Sequence, residues 1–119
     1  HRDLGVMDMD LYDYESVFGT DFLMDKGKRL EYGDSLMTHA MLFTGVDIIK
    51  GKSAKWRVEN SWGEKGGSKG YYLMSDKWFD EYNYEVVVDK KYLPKRILEL
   101  FDREPVKLDP WDPMGSLAR

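Results

Sequence analysis

Residues 37–60 have the sequence MTHAMLFTGVDIIKGKSAKWRVEN, and this stretch decides the fold. Residues 37–49 are apolar and rich in β-branched side chains, which predicts a buried strand. Residues 50–53 include a glycine and predict a hairpin turn. In residues 55–60 polar and apolar side chains alternate, as in a strand that places one face against a core. The stretch therefore predicts an antiparallel hairpin.

The returning strand has two chemically different faces. Its apolar face carries Trp56 and Val58, whereas Lys55, Arg57 and Glu59 lie on the opposite face. We therefore expect the apolar pair to point into the core and the charged side chains to point to solvent.

Shorter elements follow the hairpin. Residues 71–74 predict a third strand, and residues 84–88, YEVVV, predict a fourth. Between them, residues 76–82 predict a short helix with Asp76 as a candidate cap. Strands and short helices joined by local connections indicate an antiparallel α+β fold.

The chain divides into three predicted segments. Residues 1–35 form an irregular lead-in, with one helical turn near Tyr14–Phe18. Residues 36–103 form the sheet domain, which ends with a helix over residues 95–101 behind a first-turn proline. Residues 104–119 contain three prolines and predict an extended C-terminal arm.

Composition excludes several classes of protein. Of the 119 residues, 42% are hydrophobic and 34% are charged, which fits one folded domain. The net charge is −4 with no basic block, which argues against nucleic-acid binding. No apolar run approaches about 20 residues, so no membrane span is expected. We expect no metal or organic cofactor, and the absence of cysteine excludes disulfides and a thiol nucleophile within this chain.

Several local patterns carry no functional prediction. The glycine-rich residues 63–70, GEKGGSKG, lack the spacing of a phosphate-binding loop and predict a plain loop. An EF-hand is excluded because its central glycine and terminal glutamate are misplaced around Asp8, Asp10 and Glu15. The first residues, HRDLGVMDMD, lack a signal-peptide core and an initiator Met, which indicates an internal start. The aromatic side chains near the predicted helix are interpreted as core packing: Trp78, Phe79, Tyr82 and Tyr84.

His39 and Asn60 are the candidate functional residues. Each alone is most simply structural: a core histidine bonded to a backbone group, and an asparagine at a strand end. However, a hairpin that turns near Gly51 brings both to the same end of adjacent strands. The Asn60 oxygen would then orient the imidazole, which can exchange protons near neutral pH. Trp62 would lie beside the pair and shield its hydrogen bond from water.

Four runs carry a resemblance to a known family. THAM, WRVENSWG, KGYYLMSDKWFDEY and YEVVVD resemble the C-terminal portion of the bleomycin hydrolase and aminopeptidase C family, a branch of the papain-like cysteine peptidases. The closing run WDPMGSLA resembles the C-terminal arm of that family. The resemblance covers nearly the whole chain and is strongest from about Tyr32 onwards.

The resemblance implies a fold and an activity. The fold is the antiparallel, β-barrel-like half of a papain-like proteinase, facing an N-terminal half that carries the cysteine. The activity is that of a cysteine aminopeptidase, in which His39 and Asn60 complete a Cys-His-Asn triad and Trp62 supports them. It further implies peptide substrates with free N-termini, a cytoplasmic location and a homohexamer. The oxyanion-hole glutamine would also lie in the other half, since this chain contains no glutamine.

Two other functions remain open. The chain is alternatively a non-catalytic assembly or interaction domain, which is inactive without the cysteine-bearing half. Nucleic-acid binding has been attached to members of the family, but the acidic balance of this chain argues against it.

The resemblance also assigns a role to the C-terminal arm. Residues Gly115, Ser116, Leu117 and Ala118 would lie in the cleft, where a terminal carboxylate receives the free α-amino group of the substrate. This chain ends one residue later, at Arg119. We predict that the parent enzyme removes Arg119 itself. Intact mass spectrometry of the mature enzyme measures this, and a species that retains Arg119 under active conditions would contradict it.

Overall fold

The computed structural model describes residues 1–112 of the chain. Four strands form one sheet: β1 (Val6–Met7), β2 (Leu42–Ile49), β3 (Lys52–Glu59) and β4 (Tyr71–Ser75). The four α-helices are short: α1 (Tyr14–Phe18), α2 (Lys26–Glu31), α3 (Asp76–Tyr82) and α4 (Lys95–Leu98). Single 3₁₀ turns occupy Gly63–Lys65, Lys90–Tyr92 and Glu99–Asp102.

The sheet is open and mixed, with the strand order β1-β4-β3-β2. The pairs β2–β3 and β3–β4 are antiparallel, but β1 pairs with β4 in parallel. The α+β class is therefore confirmed, whereas the purely antiparallel arrangement was wrong because the lead-in contributes a strand. Within residues 1–112 the two edge strands do not meet, so the sheet is not closed into a barrel.

The predicted hairpin is confirmed and turns over two residues. Lys50 and Gly51 both adopt positive φ, 51° and 78°. Two positive φ values match the right-handed twist of the flanking strands, and glycine adopts this conformation without steric cost. The turn leaves Ile49 opposite Lys52 at one end of the hairpin and Leu42 opposite Glu59 at the other.

The core is small and lies on one face of the sheet. Val58 is completely buried, and Tyr72 and Met74 of β4 are 6% and 4% exposed. Trp56 stacks on Phe79 of α3 with ring centroids 4.7 Å apart. The predicted inward face of β3 is therefore confirmed, and α3 covers it.

Helix α3 has the predicted bounds but a different cap. The hydroxyl of Ser75 accepts a hydrogen bond from the backbone N–H of Trp78, so Ser75 is the N-cap. Asp76, the predicted cap, is the first helical residue. Its carboxylate accepts the indole N–H of Trp56 at 2.9 Å, which ties the helix to the sheet.

Two predictions about apolar segments were wrong. The strand β2 begins at Leu42 and is largely exposed, because it is an edge strand whose outer face no described residue covers. Residues 84–88 do not form a strand, since no strand lies beside them in residues 1–112 to accept their hydrogen bonds. Val87 in this segment is 92% exposed.

The lead-in is more ordered than its sequence pattern indicates. The helical turn at α1 is confirmed, but α2 and β1 were not predicted. Arg29 of α2 is 6% exposed and donates to the backbone oxygen and to the carboxylate of Glu81 in α3, at 2.9 and 2.6 Å. Its guanidinium also lies over the ring of Tyr82, 4.7 Å from the centroid. This one buried cation links the lead-in to the sheet domain.

The C-terminal part of the chain is only partly helical. Behind Pro94, α4 continues into the 3₁₀ turn Glu99–Asp102, where one longer helix was predicted. Residues 104–109 are exposed and form neither helix nor strand. In the part of the chain that the structure describes, no helix is long and apolar enough to cross a membrane. The three-segment division stays a prediction.

Val58→Ala is expected to destabilise the chain by about 2–3 kcal/mol, because it removes buried methyl groups and leaves a cavity. Val87→Ala makes the same chemical change at an exposed position and should stay within about 0.5 kcal/mol. Urea unfolding of the two variants and the parent measures the difference. Equal effects of both substitutions would contradict the assignment of Val58 to the core.

Candidate active site

His39 and Asn60 lie where the hairpin brings them, at the end opposite its turn. His39 precedes β2 by three residues in an extended segment, so its placement inside the strand was wrong. Asn60 directly follows β3, and its backbone N–H donates to the carbonyl of Gly70 at 3.0 Å. Its side chain is enclosed, since the residue is only 8% exposed.

The two side chains form a direct hydrogen bond. The Nε2 atom of His39 lies 2.9 Å from Oδ1 of Asn60. An amide oxygen only accepts, so the ring nitrogen donates and carries the proton. In the neutral imidazole this leaves the lone pair on Nδ1. Within residues 1–112, Nδ1 makes no hydrogen bond, so the contact selects the tautomer whose basic nitrogen is free.

Trp62 lies against the imidazole, as predicted. The two ring centroids are 4.9 Å apart, with the planes tilted by 35°. Trp62 is itself 52% exposed. The indole therefore restricts rotation of the imidazole and covers one of its faces, while the remaining side of the site is open to solvent.

The pair borders a cavity of about 210 Å³. Met41, Trp62 and Tyr72 also line it, and four further lining residues come from the lead-in: His1, Arg2, Val6 and Met7. Of these lead-in residues, none was predicted to contribute to the site. A two-residue strand has no periodic pattern that sequence analysis can detect, so β1 and the residues before it gave no signal.

A close approach of two glycines holds the lead-in at the site. Gly5 and Gly67 both have positive φ, 66° and 57°. A Cβ atom on Gly5 would lie 2.6 Å from Cα of Gly67, which no real contact allows. The N–H of Leu73 donates to the carbonyl of Gly5 at 2.7 Å. The glycine-rich loop is therefore a packing surface for the lead-in.

The arrangement supports proton transfer but supplies no thiol nucleophile. An oriented imidazole with one free nitrogen is a general base, and its protonated form is a general acid. The chain contains no cysteine. Among residues 1–112, no group of three acidic, histidine or cysteine side chains is arranged to hold a metal ion. The predicted arm residues, Gly115, Ser116, Leu117 and Ala118, lie outside the described residues.

Asn60→Ala is expected to release the His39 ring, because it removes the amide oxygen that accepts from Nε2–H and selects the tautomer. At neutral pH the ¹⁵N chemical shifts of the imidazole should show a predominant Nε2–H tautomer in the parent and a mixture of tautomers in the variant. Ser61→Ala alters the exposed neighbour and serves as the control, with shifts like those of the parent. Unchanged tautomer populations in Asn60→Ala would contradict the orienting role of the amide.

Comparisons with known proteins show which family this chain belongs to. A sequence model of the Peptidase C1-like family matches residues 1–115. The chain is 56% identical to bleomycin hydrolase from Rattus norvegicus in a match that covers 97% of this chain and 26% of the relative. It is 52% identical to aminopeptidase C from Listeria monocytogenes over 114 residues, which is 96% of this chain and 26% of the relative.

A solved structure agrees with these relatives. The crystal structure of PepW from Lactobacillus rhamnosis matches with a TM-score of 0.87 and 54% sequence identity, covering 98% of this chain and 27% of PepW. The chain thus spans about a quarter of the length of the curated relatives it matches. With a family match over almost its entire length, the chain belongs to the Peptidase C1-like family.

Proposed function

We propose that this chain supplies the histidine and asparagine of a cysteine aminopeptidase, which removes residues from the N-terminus of peptides. The observation that carries the proposal is the 2.9 Å hydrogen bond between His39 and Asn60, which leaves Nδ1 of the histidine free. The relatives named bleomycin hydrolase and aminopeptidase C support the reaction class.

The proposed reaction uses Nδ1 of His39 twice. A cysteine thiol from another part of the protein transfers its proton to Nδ1, and the resulting thiolate attacks the scissile carbonyl carbon. As the C–N bond breaks, Nδ1 returns the proton to the leaving amine. Nδ1 then accepts a proton from water, whose oxygen attacks the thioester carbonyl carbon, and it returns that proton to the sulfur as the C–S bond breaks. Throughout, Oδ1 of Asn60 accepts from Nε2–H and keeps the ring in position.

We propose that the nucleophilic cysteine and the oxyanion-hole glutamine come from another part of the protein. The relatives are about four times longer, and this chain contains neither cysteine nor glutamine. Large apolar side chains also stand exposed, including Ile48 at 61% and Val87 at 92%. The radius of gyration is 16.9 Å, against about 13–14 Å expected for a compact domain of this length. These features support a cysteine-bearing region that packs on this chain.

The specificity for N-termini is assigned to the C-terminal arm. We propose that residues 115–118 lie in the cleft and that a terminal carboxylate pairs with the α-amino group of the substrate. One negative charge at a fixed distance from the nucleophile favours removal of single residues. A cytoplasmic location and a homohexameric assembly belong to the same proposal.

The second candidate function is a non-catalytic assembly domain. The exposed valines of residues 86–88 and the uncovered outer face of β2 favour it, because a large apolar surface marks an interaction site. This candidate requires no proton transfer at His39. The two functions therefore differ in what a change of His39 does.

The chain alone is expected to show no hydrolysis of an aminoacyl fluorogenic substrate, and activity should appear when the cysteine-bearing region is added. In that assembly His39→Ala should lower kcat by at least about 10²-fold, as loss of a general acid–base does. The exposed neighbour Thr38 offers a control, since Thr38→Ala should retain activity. Activity of the chain alone, or full activity of His39→Ala in the assembly, would overturn the proposal.

A further inference from the structure

The cleft beside His39 contains a cation that the proposed reaction does not use. The guanidinium carbon of Arg2 lies 5.2 Å from the ring centroid of Trp62. Trp62 in turn lies 4.9 Å from the imidazole. The distance from the guanidinium carbon to the centre of the imidazole ring therefore cannot exceed the sum of these two distances. Arg2 and Trp62 line the same cavity as His39.

The contact with Trp62 places the guanidinium of Arg2 over the indole and does not use its hydrogen-bond donors. A cation over an indole is attracted by the ring, and a planar guanidinium keeps the N–H groups along its edges available. In residues 1–112, the Arg2 side chain makes no ion pair or hydrogen bond, although Asp3 is its neighbour in the chain. A guanidinium in this position with free donors matches a carboxylate, which it can bind through two parallel hydrogen bonds.

The position of Arg2 identifies which part of a substrate it would meet. In the proposed reaction His39 gives its proton to the leaving nitrogen, so the residue that follows the cleaved bond must lie beside His39. A general acid works within hydrogen-bond reach of that nitrogen, about 3 Å. A carboxylate carried by the same residue lies a few bonds farther along, and Arg2 lines the same cavity within the upper limit set by the two separations.

We infer that Arg2 is a specificity-determining residue that binds a carboxylate on the substrate residue following the cleaved bond. This inference rests on the proposed function. The carboxylate comes either from an aspartate or glutamate side chain or from the free C-terminus of a dipeptide. The rest of the lining, which includes His1, Val6, Met7 and Met41, contains no acidic side chain that would compete for Arg2.

Four substrates and the enzyme that contains both this chain and its cysteine-bearing region test the inference. Ala-Glu-amide against Ala-Gln-amide measures the side-chain carboxylate, and Ala-Ala against Ala-Ala-amide measures the terminal one. We expect kcat/KM to favour the carboxylate member of at least one pair by about 3- to 10-fold, as one charge-assisted contact in a half-open site allows. The pair that shows the preference identifies the source.

Substitutions of Arg2 separate recognition from general damage. Arg2→Ala should bring the ratio within each pair towards one, and Arg2→Glu should reverse it. Arg2→Lys keeps the charge but loses the fork, so it should retain part of the preference. The preference of the parent should also weaken at high salt. Arg96→Ala removes the same charge from α4, which contributes nothing to the cavity, and should keep the parent ratio.

The outcomes distinguish this inference from the proposed function. Hydrolysis of all four peptides with ratios near one, or a preference that survives in Arg2→Ala, would overturn the role of Arg2 alone. Failure to hydrolyse any peptide, in an enzyme whose cysteine-bearing region is present, would overturn both.

Discussion

The register of the β2–β3 hairpin is the constraint on which the site depends. The two-residue turn at Lys50 and Gly51 sets it, and two irregularities then cancel. Thr44 is an extra residue in β2, and Ala54 is an extra residue in β3. The register at the far end is consequently the one that the turn imposed. Arg57 stabilises the irregularity at Thr44, because its Nε–H donates to the Thr44 hydroxyl at 3.0 Å.

That register matters because the face of β3 that packs in the core continues directly to the site. Trp56, Val58 and Asn60 occupy alternate positions, and side chains two residues apart point the same way. Asn60 therefore continues an apolar face and is buried at its end. An amide in that position needs a partner, since an unsatisfied buried polar group costs about 1–3 kcal/mol. His39 is the partner, so packing and the proposed chemistry favour the same arrangement.

The hairpin, the helix α3 and the approach of His39 to Asn60 could be predicted from the sequence, because all three depend on residues near one another in the chain. Features whose deciding partner is distant or outside the chain could not. The apolar residues 84–88 have strand composition, but a strand forms only beside another strand. The β1 strand is only two residues long, and its position depends on Gly5 meeting Gly67, a contact between separated segments that no periodicity reveals.

The proposed division of the catalytic residues between two parts of the protein follows from the same distinction between near and distant partners. The His39–Asn60 contact joins residues that flank a single hairpin, and the turn and register of that hairpin bring them together. The exposed outer face of β2 and the valines after Asn83 do need a further surface. A cysteine-bearing region that covers this apolar surface would therefore meet an imidazole already oriented by Asn60 and restrained by Trp62. Its remaining task would be to place one sulfur atom near Nδ1, which is a positional requirement and not a folding one.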